Sequence, residues 1–160
     1  MTSWAGGWLR ALLLLLASVW AGTGATEAGA LVATREDGTE ILRIPVPEGA
    51  EWCVLWRHSV RGFDVSDCYQ NRAGRMVLVR THLPDFAAGL DHIPGRGRQV
   101  SDGHGGYWIL DINEPVPGDA YVLRPGAGTV DHRLQAGDSV VSLSAIASRE
   151  RVRIMLIGED

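Results

Sequence analysis

One continuous stretch, Glu51 to Thr81 (EWCVLWRHSVRGFDVSDCYQNRAGRMVLVRT), leaves this chain little freedom in what it can fold into. Along its first part Trp52, Val54, Trp56 and His58 fall on one face of an extended backbone, and Cys53, Leu55 and Arg57 fall on the other. A turn around Arg61-Gly62 feeds a second run, Val65 to Gln70. Asn71-Arg72-Ala73-Gly74 is a turn of the Asn/Gly kind, and Met76 to Val79 is a third apolar run. Three antiparallel strands in succession are expected, carrying both cysteines of the chain and two of its six tryptophans.

The same rhythm continues on either side. Glu40 to Val46 reads as a strand between Asp37-Gly38 and Pro47-Glu48-Gly49, and further strands are expected at Tyr107–Ile112, Ala120–Leu123, Thr129–Leu134, Ser139–Leu143 and Val152–Ile157. Pro84 to Gly106 is the longest irregular region, and a loop of that length in a compact domain is commonly functional or mobile. Only Leu143 to Arg151 has room and composition for a short helix. Short strands at intervals of about 8–12 residues, parted by Gly and Pro turns, indicate an all-β, single-domain antiparallel sandwich or barrel of about eight or nine strands.

The N-terminus has a different character. Met1 to Arg10 carries one positive charge and no acid, Ala11 to Trp20 is an apolar core, and Ala21 to Ala25 are small residues. This three-part pattern is that of a secretory signal cut after Ala21 or Ala25; the alternative is an uncleaved N-terminal anchor, for which the apolar run falls short of the ~20 residues of a membrane span. The expected organisation is a signal peptide over 1–25, a flexible entry segment over 26–39 and a β domain over 40–160, with the domain periplasmic or secreted. Every basic residue is arginine. Without the leader, 14 arginines face 19 acidic residues, a net charge of −5. That balance argues against nucleic acid and against an anionic membrane surface as partner. Cys53 and Cys68 fall on neighbouring strands, with their mid-point between Val60 and Arg61, close to the Gly62 turn, so an oxidising compartment would let them bond; two buried free thiols are the alternative.

Catalytic signatures are weak. Adjacent strand residues point to opposite faces, so His58 does not serve Ser59 as a base, and no Gly-x-Ser-x-Gly elbow exists. His58, His82, His92, His104 and His132 form no His-x-His or His-x-x-x-His pair, and Asp64, Asp67, Asp91 and Asp102 lack the dense spacing of an oxygen-ligand cation loop. No metal and no cofactor is expected. The glycines between Gly89 and Gly106 fit neither phosphate fingerprint, although Gly95-Arg96-Gly97 can offer backbone N–H groups and a guanidinium to an anion.

Trp56-Arg57-His58-Ser59-Val60, Asp67-Cys68-Tyr69, Phe86-Ala87-Ala88-Gly89-Leu90 and Pro94-Gly95-Arg96-Gly97 together resemble the pattern of the domain of unknown function 1850 family, from about Glu51 to the last strand. Arg61 stands where many members carry an acid, with Asp64 and Asp67 nearby. The resemblance implies a small exported bacterial protein without an established activity, encoded beside importers of the tripartite ATP-independent periplasmic type that take up organic acids. It therefore implies an accessory role, with the importer's permease or solute-binding subunit as partner.

The expected function is thus binding, of a transporter subunit or of a small carboxylate. The candidate site is His58, Ser59, Asp64 and Asp67 at the hairpin tip, closed over by Gly89, Arg96 and Gly97 of the long loop, with histidine and arginine neutralising a carboxylate. A metal-dependent or hydrolytic enzyme built on the His58 cluster, and a purely structural stabiliser of a membrane complex, are the rival readings.

Overall fold

A computed structural model of the 160-residue chain describes residues 29–84 and 93–158, with Met1. The rest of the signal segment, 2–25, and Gly89 lie outside the described residues. Two antiparallel sheets face each other. The smaller has the order β2-β1-β12-β9, from β1 (Ala30–Arg35), β2 (Glu40–Pro45), β9 (Ala120–Leu123) and β12 (Val152–Ile157). The larger runs β11-β10-β3-β4-β5-β7-β6, from β3 (Glu51–Arg57), β4 (Asp64–Arg72), β5 (Arg75–Leu83), β6 (Arg98–Ser101), β7 (Tyr107–Leu110), β10 (Arg133–Ala136) and β11 (Ser139–Ser142). A two-residue strand, β8 (Glu114–Pro115), pairs with β5 beyond the end of β7.

Alternation explains how the sheets meet. Leu31 and Ala33 of β1 and Val152, Ile154 and Leu156 of β12 project inward, where they pack with Trp52 and Val54 of β3, Met76 of β5 and Leu134 of β10. Helix α1 (Leu143–Ala147) follows β11 directly and plugs one end with Leu143 and Ala147; Ser142 caps it, its hydroxyl accepting from the Ala145 N–H at 3.1 Å. The expected sandwich and the short helix are present. The described residues hold twelve strands rather than eight or nine; the added ones, β1, β6 and β8, are short or lie where composition pointed to loop.

Those differences have particular causes. The expected flexible entry over 26–39 contains β1, an inner strand of the small sheet, because Ala30–Arg35 has partners on both sides in β2 and β12. The long irregular region contains β6, whose polar RQVS sequence pairs with β7 at the sheet edge. The strand expected over Thr129–Leu134 begins only at Arg133. Before it, Ala127 to Asp131 forms a turn in which the Val130 and Asp131 N–H groups donate to the Ala127 carbonyl, with Asp131 at φ 46°.

Cys53 and Cys68 lie directly opposite each other on β3 and β4 and form a disulfide, on the face of the large sheet turned away from the small one. Asn71, 3% exposed, fastens three segments: its Nδ2 donates to the Val46 carbonyl at 2.8 Å, its Oδ1 accepts from the Gly74 N–H at 3.0 Å, and its carbonyl accepts from the Gly49 N–H at 2.8 Å.

Candidate ligand-binding site

The small sheet leaves part of the large sheet's inner face to a second apolar cluster, Val65, Leu83, Tyr107, Ile109 and Ile112, with Trp56, Phe63 and Leu78 packed against it. Here a row of side chains crosses four strands in register: Val54 of β3, Asp67 of β4, Thr81 of β5 and Ile109 of β7. Beside the row is a cavity of about 220 Å³. Val65, Leu78, Leu83 and Ile109 make its apolar wall, Trp56 adds an indole, and Asp67, Thr81 and Arg96 are its polar groups.

A β-bulge puts Thr81 there. The register of β4 on β5 shifts between Cys68 and Tyr69, so that Tyr69 faces Leu78 while Cys68 faces Arg80. Val79 is the extra residue, and the parity of β5 changes across it. Met76 and Leu78 point inward before the bulge, and Thr81 and Leu83 point inward after it, whereas Arg80 and His82 are turned to the outer face. An unbroken period of two would have sent Arg80 and His82 into the interior instead.

Asp67 is the chemically distinctive group. Burial pushes its carboxyl above the ordinary 3.8, against the opposing pull of the Thr81 hydroxyl and of Arg96. The Thr81 Oγ1 lies within hydrogen-bond distance of both the Asp67 Oδ1 and the Ser66 carbonyl, the latter at 3.0 Å. A hydroxyl has one hydrogen. With Asp67 protonated, all the requirements are met together: the carboxyl O–H donates to Thr81, and Thr81 donates to Ser66. With Asp67 ionised, Thr81 must turn to it and abandon the Ser66 carbonyl. Burial therefore favours the neutral acid, while a Thr81 hydroxyl that donates to the carboxylate pulls the other way.

Arg96 reaches the cavity from the turn before β6. Its N–H donates to the Ile93 carbonyl at 3.0 Å, and its Nε donates to Glu114 Oε2 at 2.7 Å, so β8 holds the guanidinium in place. Gly97 makes that path possible: φ is +71°, and a Cβ there would lie 2.5 Å from the Leu110 carbonyl oxygen. Trp56 is braced from behind by His132, whose ring stacks on it with centroids 6.1 Å apart and planes 10° off parallel. His132 Nδ1 accepts from the Gly126 N–H at 3.0 Å, and burial pushes the imidazole below 6.5 despite the nearby Asp131.

Of the residues expected to form the site, the structure brings Asp67 and Arg96 together at the cavity, and Gly97 lies next to Arg96, against Leu110 and Ile109. His58 is a turn residue instead: its Nδ1 accepts from the Val60 and Arg61 N–H groups at 3.4 and 3.2 Å, and its ring lies 5.1 Å from Phe63. Ser59 is exposed in that turn. Asp64 is on the outer face, 3.1 Å from the Arg133 Nη2 and 3.8 Å from the Arg57 Nε. Thr81, Trp56 and Glu114 were not anticipated. The outer face also holds Arg80 over the Trp108 ring at 4.9 Å and His82 Nε2 at 2.9 Å from Asp102 Oδ2. Asp102 is a turn acceptor as well, bound by the His104 and Gly106 N–H groups at 2.7 and 3.0 Å. The outer-face trio Glu51, Cys53 and Cys68 has its ligand atoms within 4.8 Å of one another, but the two sulfurs are joined to each other and present no thiolate.

A family model described as Domain of unknown function (DUF1850) matches residues 53–143. The match spans nearly all of the large sheet and every residue lining the cavity, and leaves β1, β2 and β12 outside. No curated protein and no solved structure matches the chain.

Proposed function

The chain belongs to the DUF1850 family, and from that premise we propose that it is an exported binding protein which holds a small organic acid in the cavity between Asp67 and Arg96, in the service of an organic-acid importer. The observation that carries the reading is the convergence of Asp67, Thr81 and Arg96 on one otherwise apolar cavity. The guanidinium supplies a fork for a carboxylate. A protonated Asp67 adds a donor, and the wall of Val65, Leu78, Leu83 and Ile109 with Trp56 takes the apolar body of the ligand. At about 220 Å³ the cavity suits a small acid; drug-sized ligands use pockets from about 300 Å³ upward. Ionised Asp67 would repel a bound carboxylate, so affinity falls as pH rises through the raised Asp67 pKa.

Calorimetric titration of the purified protein with a panel of short mono- and dicarboxylates, at about pH 5 and about pH 7.5, tests the site. Binding is expected to be tighter at the lower pH and weakened at least about tenfold by Arg96→Gln, the loss of one charged hydrogen-bonded contact. Asp67→Asn is expected to retain binding and abolish its pH dependence. Failure of every acid to bind the wild type would sink the reading. The importer role has its own test: the tagged protein, purified from its native membrane fraction, should retain a permease or solute-receptor subunit.

A further inference from the structure

We propose a second binding site, independent of the Asp67 cavity: a cleft on the outer face of the small sheet that takes a phosphate-type oxyanion between Arg35, Arg151 and Arg153. The cleft has a volume of about 290 Å³, and Thr34, Glu36 and Val122 complete the part of its lining that matters here.

Strand register places these groups together. Thr34 of β1, Arg153 of β12 and Val122 of β9 are direct neighbours across three strands. Arg151, two residues before Arg153, shares its face by alternation. Arg35 comes from the end of β1 and is held from below: its Nε donates to Glu150 Oε2 at 2.6 Å and its Nη2 to the Ile146 carbonyl at 3.2 Å.

The charge balance of the cleft is the opposite of the molecule's. The chain carries a net −4, yet, apart from the Glu150 that pairs with Arg35 from behind, the cleft gathers three guanidiniums and one carboxylate, Glu36. That carboxylate does little to neutralise them, being 78% exposed and 3.9 Å from the Arg151 Nε. The Arg153 guanidinium makes no hydrogen bond or ion pair among the described residues. Like charges collected on one short strand segment repel unless an anion joins them. A single carboxylate occupies one guanidinium fork, whereas a tetrahedral dianion offers oxygens to several at once and accepts from the Thr34 hydroxyl as well. Arg35, Arg151 and Arg153 all lie outside residues 53–143, the segment that the family model matches.

The oxyanion has two possible sources, a free phosphate compound or a phospholipid headgroup. Exposed Val122 and Ile157 on the same face offer an apolar margin that a headgroup layer would use and a free ion would not. Two parallel measurements on the full-length chain separate them. In one, inorganic phosphate is titrated into labelled protein and amide shifts are followed. In the other, retention is compared on vesicles of phosphatidylglycerol with phosphatidylcholine and on vesicles of phosphatidylcholine alone. Each is repeated with the double variant R151Q/R153Q and with the charge-conserving Arg153→Lys.

Saturable shifts at Thr34 and Val122, with vesicle retention equal in wild type and variant, would assign a free phosphate compound. Phosphatidylglycerol-dependent retention would assign a headgroup. In either case R151Q/R153Q is expected to weaken binding at least about tenfold and Arg153→Lys by less, with thermal melting confirming that both variants fold. Absence of phosphate shifts together with absence of lipid-dependent retention in the wild type overturns the proposal. So does binding that the double variant leaves unchanged.

Discussion

Asp67 and His132 contribute to pH dependence with opposite signs, and each sign follows from burial. For Asp67 the folded-state pKa stands above 3.8, so the native form binds its proton more readily than the unfolded chain does. Its burial penalty is absent below the ordinary carboxylate range and grows as pH rises to the folded value. Denaturant titrations between about pH 4 and about pH 7 are expected to show Asp67→Asn gaining stability on the wild type as pH rises. For His132 the folded pKa stands below 6.5, so the unfolded chain takes up the proton first. Its contribution is present above 6.5 and is lost as pH falls towards the folded value. Protonation would also set a ring N–H against the Gly126 N–H that Nδ1 now accepts. His132→Gln is expected to flatten the acid-side loss of stability below about pH 6.5, read from the same titrations. The residue scale is also where the sequence misled. Asp64 and Asp67 are three apart on one strand, an odd spacing that forces them to opposite faces. Alternation alone separates them, turning Asp67 to the inner face and Asp64 to the outer one.

At the scale of elements, the β3-β4 hairpin was legible because its alternation, its Gly turn and its two cysteines all imply one register, and the structure pairs Cys53 with Cys68. The cross-link spans a separation of 15 residues. Replacing both cysteines by alanine is expected to lower unfolding free energy by about 3 kcal/mol in the chain-entropy model, measured by denaturant unfolding without reductant. The β4-β5 bulge was not legible. Val79 and Arg80 carry no turn residue to announce it, and only the partner strand reveals that the parity of β5 changes there. That one inserted residue decides that Thr81 meets Asp67 and that Arg80 meets Trp108. Gly97 is the comparable device in the segment leading to β6. Gly97→Ala is expected to destabilise by about 1–3 kcal/mol through its positive φ and the blocked Leu110 carbonyl. It should also weaken acid binding, because Arg96 must move with it; melting and the calorimetric titration read the two effects separately.

Across the whole molecule, the large sheet is assembled mainly from sequence-neighbouring hairpins, β3-β4-β5, β6-β7 and β10-β11, with β10 on β3 as its long-range pairing, which is why most of its strands could be read off one after another. The small sheet is not. Its order, β2-β1-β12-β9, joins the first described strands to the last, and β12 has β1 on one side and β9 on the other. No local pattern in ALVATR states that its partner lies more than a hundred residues away, so β1 passed for an entry segment. Removal of β12 by a stop before Val152 is expected to unpair β1 and β9 together and to abolish cooperative unfolding, monitored by near-ultraviolet circular dichroism.

The pairing of Ala30 with Ile157 also means that the two ends of the described fold are neighbours across one ladder rung. The polypeptide path is nearly a closed ring. A short Gly/Ser bridge from residue 158 back to residue 29, with the backbone opened at the exposed Gly137-Asp138 turn between β10 and β11, should yield a permuted chain of the same architecture. In the natural order, by contrast, β1 finds its β12 partner only once Val152–Ile157 has been made. The small sheet is therefore the last part of the molecule that can close, however early its first strand emerges.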